Sequence, residues 1–177
     1  MAKKKKKLHI KRKTKRMIAI VIAAIIIAGV LYGVFMKPEY EVSPAPFTKK
    51  YNAVYQYIHD GDTAVFYIDT GEKVICRFLA VDTPEIGEEG YDEAKHFCDV
   101  TLEKASKIVL EMDPVSEEYD KYERLLAWVW VDGELLQAKL IREGHAKVAY
   151  IFSGEYLYLD YLRSVEKSVT QNEASAS

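Results

Sequence analysis

The stretch His59–Glu85 reads HDGDTAVFYIDTGEKVICRFLAVDTPE, and it sets the terms for the rest of the chain. Two apolar, β-rich segments, Thr63–Ile68 and Lys73–Val81, flank Asp69-Thr70-Gly71-Glu72, a loop with hairpin chemistry. A hairpin returns its outer ends to one place. Asp62 begins the first strand and Asp82 ends the second, so a simple pairing brings these carboxylates together. Arg77 stands in the second strand among residues that would otherwise be buried, and a guanidinium there needs partners because unpaired buried charge is costly. Its partner is either one of these aspartates or a phosphate or carboxylate ligand held bidentately. Carboxylates on turns beside such an arginine point to a site for a hard cation and an anion.

Outward from the hairpin, Tyr51–Ile58 alternates and is rich in Tyr and Val, which predicts a preceding strand. Asp92 to about Ile108 carries a helical apolar stripe that includes Ala94, Phe97, Leu102 and Ala105. Ile108–Met112 and Leu125–Val131 read as two more strands, with an acidic loop between them. Asp132-Gly133 is the strongest short turn signal in the chain. Leu135–Glu143 predicts a helix stopped by Gly144, and Leu157–Val169 a second amphipathic helix. Residues 170–177 read as a disordered tail. Five short strands interrupted by one helix and followed by two more predict an α+β, mainly β fold, a small barrel with helices packed on it.

Charge divides the 177 residues unevenly. Residues 1–36 hold ten Lys and Arg and no acidic residue, which leaves 15 basic against 27 acidic residues, a net of −12, in the remainder. Met17–Met36 contains 20 consecutive uncharged residues, about 30 Å as a helix, enough to cross a bilayer. The basic flank 1–16 then stays in the cytoplasm and the body lies outside. These features predict a basic cytoplasmic tail at 1–16, a retained transmembrane anchor at 17–36 and a linker at 37–50, which contains three of the five prolines. The expected location is the cell membrane, single-pass, with the folded domain extracellular. Cys76 and Cys98 could form a disulfide there, or serve equally as small core residues.

Four polar runs carry a resemblance. Asp60-Gly-Asp-Thr63, Arg77-Phe-Leu-Ala-Val-Asp-Thr-Pro-Glu85, Asp120-Lys-Tyr-Glu-Arg124 and Gly144-His-Ala-Lys-Val-Ala-Tyr150 occur in the order and near-spacing of the staphylococcal nuclease (thermonuclease) family. The body at 51–169 resembles that family throughout. The resemblance implies a five-stranded oligonucleotide-binding-type (OB-fold) barrel with three helices. It also implies a monomeric hydrolase, a nuclease (endonuclease) acting on phosphodiesters of DNA and RNA, preferably single-stranded, with one calcium ion (Ca2+). Position by position, it implies Asp62, Asp82 and Thr83 as metal ligands and Glu85 as the residue that positions or activates water. Arg77 and Arg124 match the two arginines on the scissile phosphate, and Lys121, Tyr122, Tyr150 and Phe152 match positions around the bound nucleotide. Calcium chemistry suits such a set, since the ion takes several oxygen ligands in loose geometry.

Three positions depart from the family pattern. Glu123 stands where a glycine usually precedes the second arginine. The loop Ile86–Gly90 is short and acidic, where the best-known member has a longer loop bearing lysine. Phe152 replaces a second tyrosine. The acidic body also admits a different reading, a catalytically weak or inactive module that binds nucleic acid on the same barrel, because nonspecific phosphate binding wants a basic surface.

Overall fold

The computed structural model describes residues 42–176. The expected tail at 1–16, the anchor at 17–36 and the first part of the linker lie outside the described residues. Among the described residues no helix is long and apolar enough to cross a membrane.

The elements in order are β1 (Lys50–Asp60), β2 (Thr63–Ile68), β3 (Lys73–Phe78), β4 (Val81–Asp82), α1 (Tyr91–Glu103), β5 (Ile108–Glu111), β6 (Leu125–Val131), β7 (Glu134–Leu135), α2 (Leu136–Arg142), β8 (Lys147–Val148) and α3 (Leu159–Ala176). The sheet order is β3-β2-β1-β5-β6-β7. A parallel pairing of β3 with β6, Cys76 opposite Leu125 through Phe78 opposite Ala127, closes the five long strands into a barrel. This is the α+β, five-stranded, three-helix architecture expected from the sequence, with helix and strand in nearly equal measure rather than mainly β.

Local chemistry explains most boundaries. The β2–β3 hairpin is regular from Thr63–Arg77 to Tyr67–Lys73, with Gly71 at φ 86° in its loop. Asp132 and Gly133 both take positive φ, the geometry a two-residue type I′ turn demands, and they join β6 to β7. Irregular registers at Tyr55/Tyr57 and Ile58/Asp60 bend the long strand β1 round the barrel. The core is continuous: Phe66, Phe78, Leu102, Leu110, Trp128, Trp130 and Leu140 are all essentially inaccessible to solvent. Gln137, fully buried on α2, bonds the backbone of β6 at Val129 N–H (3.2 Å) and Ala127 C=O (3.0 Å), so no buried polar atom is stranded there.

The structure departs from the sequence reading in four places. The strand expected over Lys73–Val81 breaks after Phe78, because Ala80 turns to φ 58° and β4 leaves the barrel to pair with β8. Helix α1 starts at Tyr91 and ends at Glu103, short of Ile108, which belongs to β5. Helix α3 continues to Ala176 through residues expected to be a tail, where no glycine or proline intervenes. Ser43–Lys49, expected as linker, is docked. The Ala45 N–H donates to Glu111 Oε1 (2.8 Å) and to Tyr158 Oη (2.9 Å), and the Met112 N–H donates to the Lys49 carbonyl (2.9 Å). Cys76 and Cys98 are both free and fully buried, and burial pushes both thiols well above their ordinary pKa. They act as small core side chains.

Candidate active site

Two turns meet at the open end of the β2–β3 hairpin. Gly61 permits the meeting: a Cβ there would lie 2.7 Å from Thr83 Oγ1 and 2.8 Å from its Cβ. With that close approach, Asp62 Oδ2 accepts the Thr83 N–H at 3.2 Å, and Asp62 Oδ1 accepts the Thr63 hydroxyl at 3.1 Å. Arg77 reaches the same carboxylate, Nη2 to Oδ2 at 3.0 Å, with side-chain exposures of 12% and 8%. The guanidinium also donates to the carbonyls of Phe78 (2.8 Å) and Val81 (2.9 Å) and lies 5.2 Å from the centre of the Tyr150 ring. The salt bridge to an aspartate that the sequence allowed is therefore present.

Burial pushes the Asp62 carboxyl up to about 7; Arg77 pulls it back, and neighbouring Asp60 adds to the rise. A desolvated carboxylate held beside another acid is a position that gains from a cation. Asp82 lies on β4 directly opposite Lys147 on β8, and Lys147 Nζ meets its Oδ2 at 3.0 Å from a largely exposed side chain. Lys147 falls in the Gly144–Tyr150 run, but its pairing with Asp82 was not readable from the sequence. Its strand is two residues long, too short to show any periodicity.

Asp62, Asp82 and the backbone oxygen of Thr83, brought near one another in the chain by the Asp62–Thr83 contact, would offer a hard divalent cation an all-oxygen donor set. Among the described residues no three acidic, histidine or cysteine side chains converge on one point. An ion here would be held by two carboxylates and backbone oxygen, and would keep water or substrate oxygens in its remaining positions.

The other expected residues are not all drawn to this group. Glu85 follows Pro84 on the exposed loop, and its N–H donates to Glu88 Oε2 at 2.8 Å. Arg124 is gripped within its own loop. Its Nε lies 2.7 Å and its Nη2 2.6 Å from Asp120 Oδ2, and its N–H donates to Asp120 Oδ1 at 2.9 Å. Burial raises the Asp120 carboxyl, but these N–H groups, the Tyr122 N–H and the guanidinium outweigh it, so its pKa falls below the ordinary value. Glu123 adopts φ 61°, the left-handed conformation that a glycine takes without strain. The exposed Tyr122 ring stacks near Lys121 Nζ (4.9 Å) and Arg124 Cζ (5.4 Å). Tyr150, at φ 52°, covers Arg77 while remaining half-exposed, and Phe152 is 83% exposed.

Comparison with known proteins points to one family. A family model described as staphylococcal nuclease homologue matches residues 75–175. Endonuclease YncB of Bacillus subtilis (strain 168) is 37% identical over 121 residues, covering 66% of this chain and 56% of that protein. The SPbeta prophage-derived endonuclease YokF of the same strain is 35% identical over 122 residues, covering 66% and 40%. A thermonuclease of Staphylococcus hyicus is 30% identical over 160 residues, covering 84% of this chain and 88% of its own length. The chain thus spans about half the length of the two Bacillus relatives and nearly all of the staphylococcal one. The family model covers more than half of this chain and the staphylococcal relative is matched over most of its length, so the chain belongs to the staphylococcal nuclease family.

Proposed function

We propose that this chain is a calcium-dependent nuclease that hydrolyses phosphodiester bonds of DNA and RNA with little sequence specificity. We propose further that Met17–Met36 anchors it in the cell membrane with the nuclease domain outside. The observation that carries the first reading is the meeting of Asp62, Thr83 and Arg77 beside Asp82. That meeting supports a site in which acidic oxygens lie beside a preorganised guanidinium. Names of relatives support the same reaction class.

In this reading, a bound divalent cation supplies electrostatic stabilisation of a phosphoryl oxygen and of the attacking water. Arg77, fixed by two carbonyls, Asp62 and the Tyr150 ring, needs little reorganisation to donate to an equatorial phosphate oxygen. Arg124 exchanges part of its grip on Asp120 for the same phosphate. Glu85 accepts a hydrogen bond from water and orients it. Water oxygen then bonds to phosphorus while one P–O ester bond breaks, and the leaving oxygen ends protonated. Tyr122, Tyr150 and Phe152 offer ring faces to the adjoining nucleoside, with Lys121 beside them.

The alternative, a nucleic-acid-binding module of weak or no activity, draws on one observation. In this structure both arginines are already ion-paired within the protein. Turnover of single-stranded DNA by the wild-type chain separates the readings, and Glu85→Ala then tests the site. The side chain is exposed, so the variant folds, and turnover of single-stranded DNA falls about 100-fold or more, the usual cost of losing one transition-state contact. Turnover unchanged in the folded variant would remove Glu85 from the mechanism.

A further inference from the structure

Of the residues given a part in the reaction, Glu85 has the fewest contacts of its own. It is exposed, and its carboxylate has no hydrogen-bond partner among the described residues. Its place is therefore set by its backbone, and a displacement of about 1 Å at a reacting group can cost about 100-fold in rate. The short acidic loop Ile86–Gly90, where this chain departs from its family, supplies the support. The Glu88 N–H donates to the Glu85 carbonyl at 2.9 Å and closes a four-residue turn. Gly87, third in that turn, takes φ 90°, which a type II turn requires at this place. The Glu88 side chain then folds back, and its Oε2 accepts the Glu85 N–H at 2.8 Å. One residue thus holds both main-chain polar groups of Glu85, and the bond to the carboxylate is charge-assisted.

The loop is tied down at its far end as well. The Tyr91 N–H donates to the Glu88 carbonyl at 3.3 Å, and the Ala94 N–H to the Gly90 carbonyl at 2.9 Å. Gly90, at φ 88°, lies so near Pro84 that a Cβ there would sit 3.3 Å from the proline Cγ. Helix α1 is itself fixed in the core by Ala94, Cys98 and Leu102. Glu88 also acts on the opposite side of the site. Lys147 Nζ lies 3.0 Å from Asp82 Oδ2, and Asp82 first, with Glu88 after it, keeps the Lys147 ammonium above its ordinary pKa. Glu88 is therefore linked to Glu85 by hydrogen bonds and to Asp82 through the charge of one lysine.

We infer that Glu88 is a positioning residue, whose side chain fixes the backbone of Glu85 and with it the place of the Glu85 carboxylate relative to Asp82. The inference rests on the nuclease reading and deepens it. In this role Glu88 touches neither metal nor substrate. It acts on the rate of the chemical step through Glu85 and contributes nothing to substrate affinity.

The test measures kcat and KM of the full-length chain on single-stranded DNA with calcium. Glu88→Ala lowers kcat at least about fivefold, the usual effect of losing a hydrogen bond to a charged group, and does not raise KM. Glu88→Gln, which keeps an acceptor for the Glu85 N–H without the charge, retains most of the rate. Amide hydrogen exchange at Glu85 is faster in Glu88→Ala than in wild type and stays near wild type in Glu88→Gln. The double variant Glu85→Ala/Glu88→Ala cleaves no more slowly than Glu85→Ala alone, because the second change has nothing left to position. An unchanged kcat in Glu88→Ala, a Gln variant as slow as the Ala variant, or a further loss in the double variant would overturn the positioning role, while cleavage by the wild-type chain upholds the nuclease reading. Failure of the wild-type chain to cleave would overturn that reading and the positioning role with it.

Discussion

The geometry of the site depends on a residue with no side chain. Gly61 lets the Asp60–Asp62 turn lie against Thr83, and that approach gives Asp62 its hydrogen bond from the Thr83 N–H. Thr83 is buried and cannot swing aside. Gly61→Ala therefore destabilises the protein by about 1–3 kcal/mol, the range for forced overpacking, and pulls Asp62 away from Asp82. Urea denaturation measures the first effect, and calcium titration of the folded variant measures the second as weakened binding. The candidate residues stood out in the sequence because each was out of place: an arginine in an apolar strand, aspartates at both strand ends. Their partners were less legible. Nothing in a glycine's identity says which loop it must touch, and Lys147 pairs with Asp82 only because two two-residue strands happen to face each other.

At the scale of elements, hairpin, helices and barrel followed from alternation, apolar stripes and turn residues, all local signals. What escaped the sequence was long-range. The docked segment Ser43–Lys49 looks like a linker because it is rich in proline and polar residues. It is held because Glu111, fully buried on β5, collects donors from distant parts of the chain. Trp130 Nε1 donates to Oε2 at 2.7 Å, the Tyr158 hydroxyl to Oε2 at 3.0 Å and the Ala45 N–H to Oε1 at 2.8 Å, with the Thr48 hydroxyl on Oε1 as well. Asp113 does the same for Trp128 Nε1 (2.8 Å) and the Leu157 N–H (2.9 Å). A buried carboxylate is retained only where such donors surround it. Tyr158→Phe keeps the ring packed edge-on to both tryptophans and removes only the hydroxyl, which bonds both Glu111 and the docked segment beside the direct Ala45 and Thr48 bonds to Glu111. It lowers stability by about 2 kcal/mol, in the range for a hydrogen bond to a charged group, with proteolysis of 43–49 accelerated in parallel. A stability equal to wild type would show that the segment is held by other contacts.

Over the whole molecule, charge and proposed substrate oppose each other. The chain after residue 36 carries a net of −12, so long-range attraction of a polyanion is absent. On the proposed function, binding depends on a bound cation, Arg77, Arg124 and a few lysines. Salt screens the overall repulsion and weakens only these few local contacts, so affinity for an oligonucleotide at saturating calcium declines shallowly with salt. A slope as steep as that of a protein neutralising six or more phosphates would reveal a basic groove hidden by the net charge.

The most direct test of the nuclease assignment is hydrolysis of single-stranded DNA by the full-length chain, followed with calcium, after addition of a chelator in excess, and after calcium is restored. The Asp62–Asp82–Arg77 site predicts cleavage that stops with the chelator and returns with calcium. Cleavage that continues undiminished in the chelator would contradict the metal site, and no cleavage under any of the three conditions would contradict the nuclease.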